Sequence, residues 1–194
     1  MATISATTEL QWRALLDALG ALLGVADRRR WATARLDASV QHVSLPVLHC
    51  FEAALRLCDD ATAHVRAPLE AVRACLHWRR NSAYANADFL DGYGYCELLG
   101  PTGHARDASV AMGILLLAPR ITYPPHQHRA RETYVVVAGR AQWCHGDGGW
   151  RVRSPGDRIE HASNEPHAMR TTDEPLLAAY LWHDHLHEPA RLTT

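Results

Sequence analysis

Up to about residue 80, apolar side chains recur at the three-and-four spacing of amphipathic helices. One stripe begins after Thr8, the predicted N-cap, and consists of Trp12, Leu15, Leu16, Leu19, Leu22 and Leu23. A second helix is predicted from Pro46 to Cys58 and a third to begin at Pro68, because proline suits the first turn of a helix. Residues 1–85 are therefore predicted to form a helical region.

Beyond residue 85 the pattern changes to short apolar runs that glycine and proline separate. The runs are GYCELLG, VAMGILLLAP, ETYVVVAG, RAQWCHG, HAMRT and LLAAYLW. Short strands at nearly even spacing are typical of an all-β sandwich or barrel. The pattern therefore predicts an α+β fold in which the helical region (1–85) packs on a C-terminal β-barrel (86–194).

Composition narrows the chemistry. With 194 residues, the chain is long enough for one well-buried domain. Its net charge of −1 leaves no basic surplus for binding nucleic acid or an anionic membrane. All 20 basic residues are arginine, which excludes a Schiff-base lysine and a P-loop. Thirteen histidines, by contrast, favour a metal site, and with nucleic acid and membranes disfavoured we expect a small-molecule substrate as the partner.

The cysteines and the apolar segments predict the cellular compartment of the protein. Five cysteines without a C-x-x-C pair indicate buried free thiols in a reducing compartment. Arg13 and Asp17 interrupt the N-terminal apolar stretch, which argues against a signal peptide. The apolar run at residues 114–118 is too short to span a bilayer. We expect a cytoplasmic protein with no membrane partner.

The segment YPPHQHRARETYVVVAG carries a candidate metal site. His126 and His128 are two residues apart, so on a strand both side chains project from one face, and Glu132 follows after three intervening residues. Nitrogen and carboxylate ligands suit one divalent transition metal, which can be Zn, Fe, Mn, Co or Ni. If the strand that contains His167 pairs beside the first, His167 supplies a third imidazole.

Residues 123–171 resemble the two motif blocks of the cupin superfamily, whose members are metal-binding double-stranded β-helices, or jelly-roll barrels. The first block matches as H-x-H-x3-E-x6-G, although Arg120 replaces its leading glycine. In the second block Ala162 replaces the proline, Asn164 the second glycine and Thr171 the asparagine. The asparagine can still adopt the left-handed turn conformation. Because cupins often dimerise, the resemblance also allows a homodimer.

Further segments resemble the cupin-type dimethylsulfoniopropionate (DMSP) lyases and their lyase-like relatives. These segments are GYCELLGPTG, LLLAPRITYPPHQH, PHAMRT and EPLLAAYLW, and the motif match covers roughly residues 90–183. The resemblance implies metal-dependent cleavage of DMSP to dimethyl sulfide and acrylate. Arg129 and Arg131 depart from the family, because they place two cations beside Glu132 where relatives tend to be acidic or neutral.

The implied elimination needs a base, and a nearby cation can lower the pKa of a tyrosine from its usual value of about 10. Tyr134, two residues after Glu132, is the first candidate by resemblance, and Tyr123 is the second. Aromatic faces attract a sulfonium cation, so Tyr123, Tyr134 and Trp182 are candidate substrate contacts. His161 is a further candidate at the mouth of the pocket.

Other interpretations remain open on the sequence. The same site can serve a cupin dioxygenase, a sugar isomerase, an enzyme that acts on another small carboxylate, or a non-catalytic ligand-binding cupin. His126 is either a direct ligand or a partner that orients one. The alternating His183, His185 and His187 are interpreted as solvated.

Overall fold

A computed structural model describes residues 5–32, 34, 36, 43–81, 84–146 and 148–193. The α-helices are α1 (Ala6–Leu23), α2 (Arg29–Ala32), α3 (Phe51–Leu55), α4 (Ala63–Val72) and α5 (Ala87–Asp91). Short 3-10 segments at Pro46–Cys50 and Arg73–Cys75 precede α3 and follow α4. None of the helices in the described ranges is long and apolar enough to cross a membrane.

Three predicted helix boundaries are wrong. Helix α1 is capped by Ser5, whose hydroxyl accepts a hydrogen bond from the Thr8 backbone N–H, so Thr8 lies inside the first turn. The second helical segment ends at Leu55 and not at Cys58. Helix α4 begins at Ala63, five residues before Pro68, because its buried stripe already starts at Val65. A proline inside a helix removes one backbone hydrogen bond, which a helix packed on a core can tolerate.

The strands follow the helices along the chain. They are β1 (Tyr93–Leu99), β2 (Val110–Leu117), β3 (Thr122–Gln127), β4 (Arg131–Ala138), β5 (Ala141–His145), β6 (Arg151–Arg153), β7 (Arg158–His161), β8 (His167–Thr171), β9 (Leu176–His183) and β10 (Arg191–Leu192). Within the described residues they form two five-stranded antiparallel sheets. Sheet I has the order β1-β2-β9-β4-β7, and sheet II has the order β10-β3-β8-β5-β6.

The apolar runs identified in the sequence correspond to β1, β2, β4, β5, β8 and β9. Helix α5 was not predicted; the Asn86 side chain caps it by accepting from the Phe89 N–H. In β3 two prolines coincide with a register shift between Tyr123 and His126, which accommodates residues that cannot donate to the ladder. The α+β architecture of helices followed by antiparallel sheets is the one that the sequence predicted.

Sheet I is buried on both faces, and its two faces have different surroundings. The outer face packs under α1, α3 and α4 in an aliphatic core that includes Met112, Ile114, Leu116, Val135, Val137 and Leu181. The inner face joins sheet II in a core rich in tyrosine, which includes Tyr93, Tyr123, Tyr134 and Tyr180. Because helices and sheet I share one core, the predicted division near residue 85 stays a prediction.

The five cysteines are all free. Cys50 and Cys96 are buried, whereas Cys75 is exposed, so the expectation of uniformly buried thiols is wrong for Cys75.

Candidate metal centre

Two rows of paired residues face each other inside the barrel. In sheet I, Glu132 is opposite Trp182 on one side and opposite His161 on the other. In sheet II, His167 is opposite His126 on one side and opposite His145 on the other. Because directly paired residues project from the same face of a sheet, each row lies on one face. Residues distant in sequence are thereby brought to one place.

Four of the predicted ligands form a buried cluster. Ligand atoms of His126, His128 and His167 lie within 4.8 Å of one another. Glu132 Oε2 lies 3.0 Å from His128 Nε2 and 3.4 Å from His167 Nε2. Each of the four residues is at most 3% exposed. The structure thus brings the segment of His126 and His128 together with that of His167, and the ligand role of His167 stays a prediction.

Backbone carbonyls orient all three imidazoles. The Nδ1 atoms of His126, His128 and His167 each lie 2.9 Å from a carbonyl oxygen, that of Pro124, Ala130 and Glu165 respectively. A carbonyl oxygen only accepts, so Nδ1 carries the proton and Nε2 is the atom available to a metal ion.

The electrostatics of the cluster favour a cation. Burial acts to raise the pKa of Glu132, but its contacts with His128 and His167 outweigh that effect and hold the pKa well below its ordinary value. Burial and the neighbouring His167 lower the pKa of His126 to about 3. A neutral His126 and an ionised Glu132 are the protonation states that metal ligands require.

Two atoms show that the residues fit a metal ion. Both ring nitrogens of His128 face acceptors, Ala130 O and Glu132 Oε2. The proton on Nδ1 satisfies the first contact, and the second requires a proton or a metal cation between His128 Nε2 and the carboxylate. His167 Nε2 is buried and has no hydrogen-bond partner among the described residues. The buried group of histidines and a glutamate can therefore hold a metal ion.

Beside the cluster lies a cavity of about 410 Å³. Glu132 lines it together with six aromatic side chains: Tyr93, Tyr95, Tyr123, Tyr134, Tyr180 and Trp182. Trp182 also donates from Nε1 to Glu132 Oε1 at 2.6 Å, and its ring lies 4.2 Å from that of His128. Sequence reasoning missed Tyr93, Tyr95 and Tyr180, although the two-residue spacing of the first pair on a strand is a usable signal.

The two candidate bases both border the cluster. Tyr123 stacks on His126 with ring centroids 4.1 Å apart, and its hydroxyl accepts from Tyr84 at 3.2 Å. Burial, followed by the charge of Glu132, raises the pKa of Tyr134 well above its ordinary value. Burial likewise raises the pKa of Tyr123. Without a nearby cation both tyrosines are therefore neutral phenols.

His161 lies deeper than the sequence suggested. It is 2% exposed and stacks on His167 with ring centroids 3.9 Å apart. Of the described residues, those that line the cavity do not include His161. Histidines 183, 185 and 187 are half-buried or exposed, in line with their interpretation as solvated.

Arg129 and Arg131 do not point their charges at the cluster. Arg129 pairs with Glu188 at 3.0 Å and Arg131 with Asp184 at 2.9 Å. Both ion pairs attach the segment after β9, whose residues 186–190 line the cavity. The departure from the family pattern thus concerns the wall of the cavity and not the metal ligands.

The substituted motif positions retain their structural roles. Arg120 and Asn164 stand in place of glycines and have positive φ angles of 59° and 58°. Thr171 stands in place of asparagine; its Oγ1 donates to Ala118 O at 2.6 Å and accepts from the Ile121 N–H. These three residues therefore fit the turns that precede β3 and β8.

An antiparallel barrel that surrounds three oriented imidazoles, a carboxylate and an aromatic cavity is an architecture of the cupin type, and its buried group of histidines and a glutamate can hold a metal ion. The dimethylsulfoniopropionate lyase family model matches residues 24–178. The chain belongs to this family.

Individual relatives agree with this assignment. The DMSP lyase DddQ of Ruegeria pomeroyi is 34% identical over 157 residues, which are 79% of this chain and 78% of DddQ. The crystal structure of that DddQ superposes with a TM-score of 0.80 at 29% identity and covers 97% of this chain and 98% of its own. A Cereibacter sphaeroides protein named DddL is 39% identical over 92 residues, which are 46% of this chain and only 38% of DddL.

Proposed function

We propose that this protein is a metal-dependent carbon–sulfur lyase that cleaves DMSP to dimethyl sulfide and acrylate by β-elimination. The observation that carries the proposal is the buried cluster of three histidines and Glu132 at the wall of an aromatic cavity, in a chain of the DMSP lyase family.

His126, His128, Glu132 and His167 are the proposed ligands of one divalent transition ion, of the group Zn, Fe, Mn, Co and Ni. When bound, the ion supplies positive charge that polarises the substrate carboxylate, offsets Glu132 and favours the phenolate form of a nearby tyrosine. His126 is then a direct ligand, since its Nδ1 is already bonded to Pro124 O and its Nε2 is available.

Tyr134 is the proposed base, with Tyr123 as the second candidate. The phenolate takes the proton from the carbon next to the carboxylate, and the C–H electron pair forms the carbon–carbon double bond. The bond from the next carbon to sulfur breaks, and its electrons leave with sulfur as neutral dimethyl sulfide. The phenol then returns its proton to solvent. Charge balances, because the zwitterion yields acrylate and a proton.

Aromatic side chains suit a sulfonium substrate. A cation is attracted to a ring face within about 6 Å of its centroid. Tyr123, Tyr134 and Trp182 line the cavity next to Glu132 and are the proposed substrate contacts. A contact between His161 and the substrate stays a prediction, as do homodimerisation and a cytoplasmic location.

Headspace gas chromatography of purified protein with DMSP tests the proposal. Zn, Fe, Mn and Co are added in turn, and a chelator serves as the control. We expect dimethyl sulfide release that depends on at least one metal and stops with the chelator. Protein that holds metal but releases none would contradict the proposal and point to a lyase-like relative with another small carboxylate substrate.

A further inference from the structure

The two facing rows extend one position beyond the ligands assigned so far. In sheet I the row continues from Glu132 to His161 on β7. In sheet II it continues from His167 to His145 on β5. The loop between β7 and β8, which contains Glu165, crosses this end of both rows. A second set of metal-ligating side chains therefore lies beside the first.

The side chains of this second set are close to one another. Ligand atoms of His145, His161 and Glu165 lie within 4.8 Å. His145 Nδ1 is 3.0 Å from Glu165 Oε1, and the imidazole rings of His145 and His161 have centroids 5.7 Å apart. In a tetrahedral zinc site, bonds of 2.0–2.1 Å place the ligand atoms roughly 3.4 Å apart, so the three atoms here lie near the separation that an ion requires.

Hydrogen bonds hold the backbone of this set in place. Glu165 Oε2 accepts from the Ala162 N–H at 2.8 Å. The Gly146 N–H, next to His145, donates to Pro166 O at 2.8 Å. These hydrogen bonds connect the end of β5 to the β7–β8 loop, so binding an ion requires little further loss of backbone entropy.

His161 has polar atoms that the described residues do not satisfy. It is 2% exposed, yet both Nδ1 and Nε2 are buried without a hydrogen-bond partner in the described part of the chain. Its stacking on His167 does not help, because the ring nitrogens donate and accept in the plane of the ring. Because a buried polar atom without a partner is unfavourable, a ligand that binds a ring nitrogen would stabilise this imidazole.

We propose that His145, His161 and Glu165 form a second cation site, open to solvent, for a divalent transition ion of the zinc class. Two imidazoles and one carboxylate are a ligand set that such ions accept. The His145 and Glu165 side chains are 39% and 25% exposed, so an ion reaches this site directly from water, whereas the His128 and Glu132 side chains of the first cluster are 1% and 2% exposed. The site does not rest on the proposed lyase activity.

Zinc content after equilibrium dialysis, measured by mass spectrometry on the full chain, tests the site. We expect about two zinc ions per wild-type chain and about one in His145→Asn and in Glu165→Gln. The glutamine keeps an oxygen that accepts from the Ala162 N–H, so the loop geometry is retained in that variant.

His185→Asn is the matched control. His185 also lies beside a carboxylate, 3.3 Å from Glu188, with similar exposure, but it is not part of the cluster around His161. This variant should keep about two ions. One ion in wild type would overturn the proposal. Two ions in His145→Asn would also overturn it and assign the second ion to Glu132, His161 and His167.

Discussion

Both faces of sheet I are buried, but the outer face packs against the helices and the inner face carries the candidate site. On β4, Val135 and Val137 point outward under the helices, and Glu132 and Tyr134 point inward to the cavity. The outer face is aliphatic and needs no hydrogen-bond partners, so it stabilises the fold through packing alone. The inner face buries polar atoms: some pair with one another, as Trp182 Nε1 does with Glu132 Oε1, whereas the ring nitrogens of His161 have no partner among the described residues. Because side chains alternate along β4, one set contributes to the stability of the fold and the other set to the candidate site.

The largest expected effect comes from the inner face. Glu132→Ala removes a proposed ligand together with the counter-charge of the imidazoles, and His167→Ala removes one proposed imidazole ligand. We expect loss of the ion at this cluster together with nearly all dimethyl sulfide release, measured by metal analysis and gas chromatography on the same sample. Wild-type metal content and activity in both variants would refute the ligand assignment.

Tyr134→Phe should separate the chemical step from metal binding. Without the hydroxyl that is proposed to take the proton, kcat should fall by about 10²–10⁴ while metal content and thermal stability are retained. Tyr95→Phe, at another position on the cavity wall, is the control and should change kcat little. An unchanged rate in Tyr134→Phe would transfer the role of base to Tyr123.

Leu116→Ala, on the outer face, should lower the free energy of unfolding and leave activity unchanged. Leu116 is 0% exposed among aliphatic neighbours, and a truncation of this kind costs about 2–5 kcal/mol of the free energy of unfolding. Urea unfolding should record that loss, while kcat per folded molecule and metal affinity remain as in wild type. A lowered kcat in the folded fraction would mean that the two faces are not independent.

Trp182→Phe should produce the smallest effect. The variant keeps an aromatic ring but loses the N–H that orients Glu132 at 2.6 Å. Loss of such an orienting group lowers metal affinity by about 10–100-fold, which competition with a chromophoric chelator can measure. Trp143→Phe is the matched control, because the buried Trp143 Nε1 has no partner within the described ranges. The metal affinity of this variant should equal that of the wild type.

Much of the architecture follows from local pattern. The switch from helical spacing to short apolar runs indicated the α+β class, and the H-x-H-x3-E spacing indicated three ligands. The errors at helix boundaries had two causes, one local and one tertiary. Ser5 replaced Thr8 as a cap because the helix extends one turn earlier, and Pro68 lies inside α4 because packing of Val65 and Leu69 outweighs one lost hydrogen bond.

The sequence by itself determined which residue types can meet at the candidate site, because one short connection joins His126 at the end of β3 to Glu132 at the start of β4 and keeps the two near each other. Only the tertiary structure decided which distant residues complete the site. The pairing of β4 with β7 and β9, and of β8 with β3 and β5, brings Trp182, His161 and His145 beside them. Strand register depends on the burial of whole faces, which no local spacing contains.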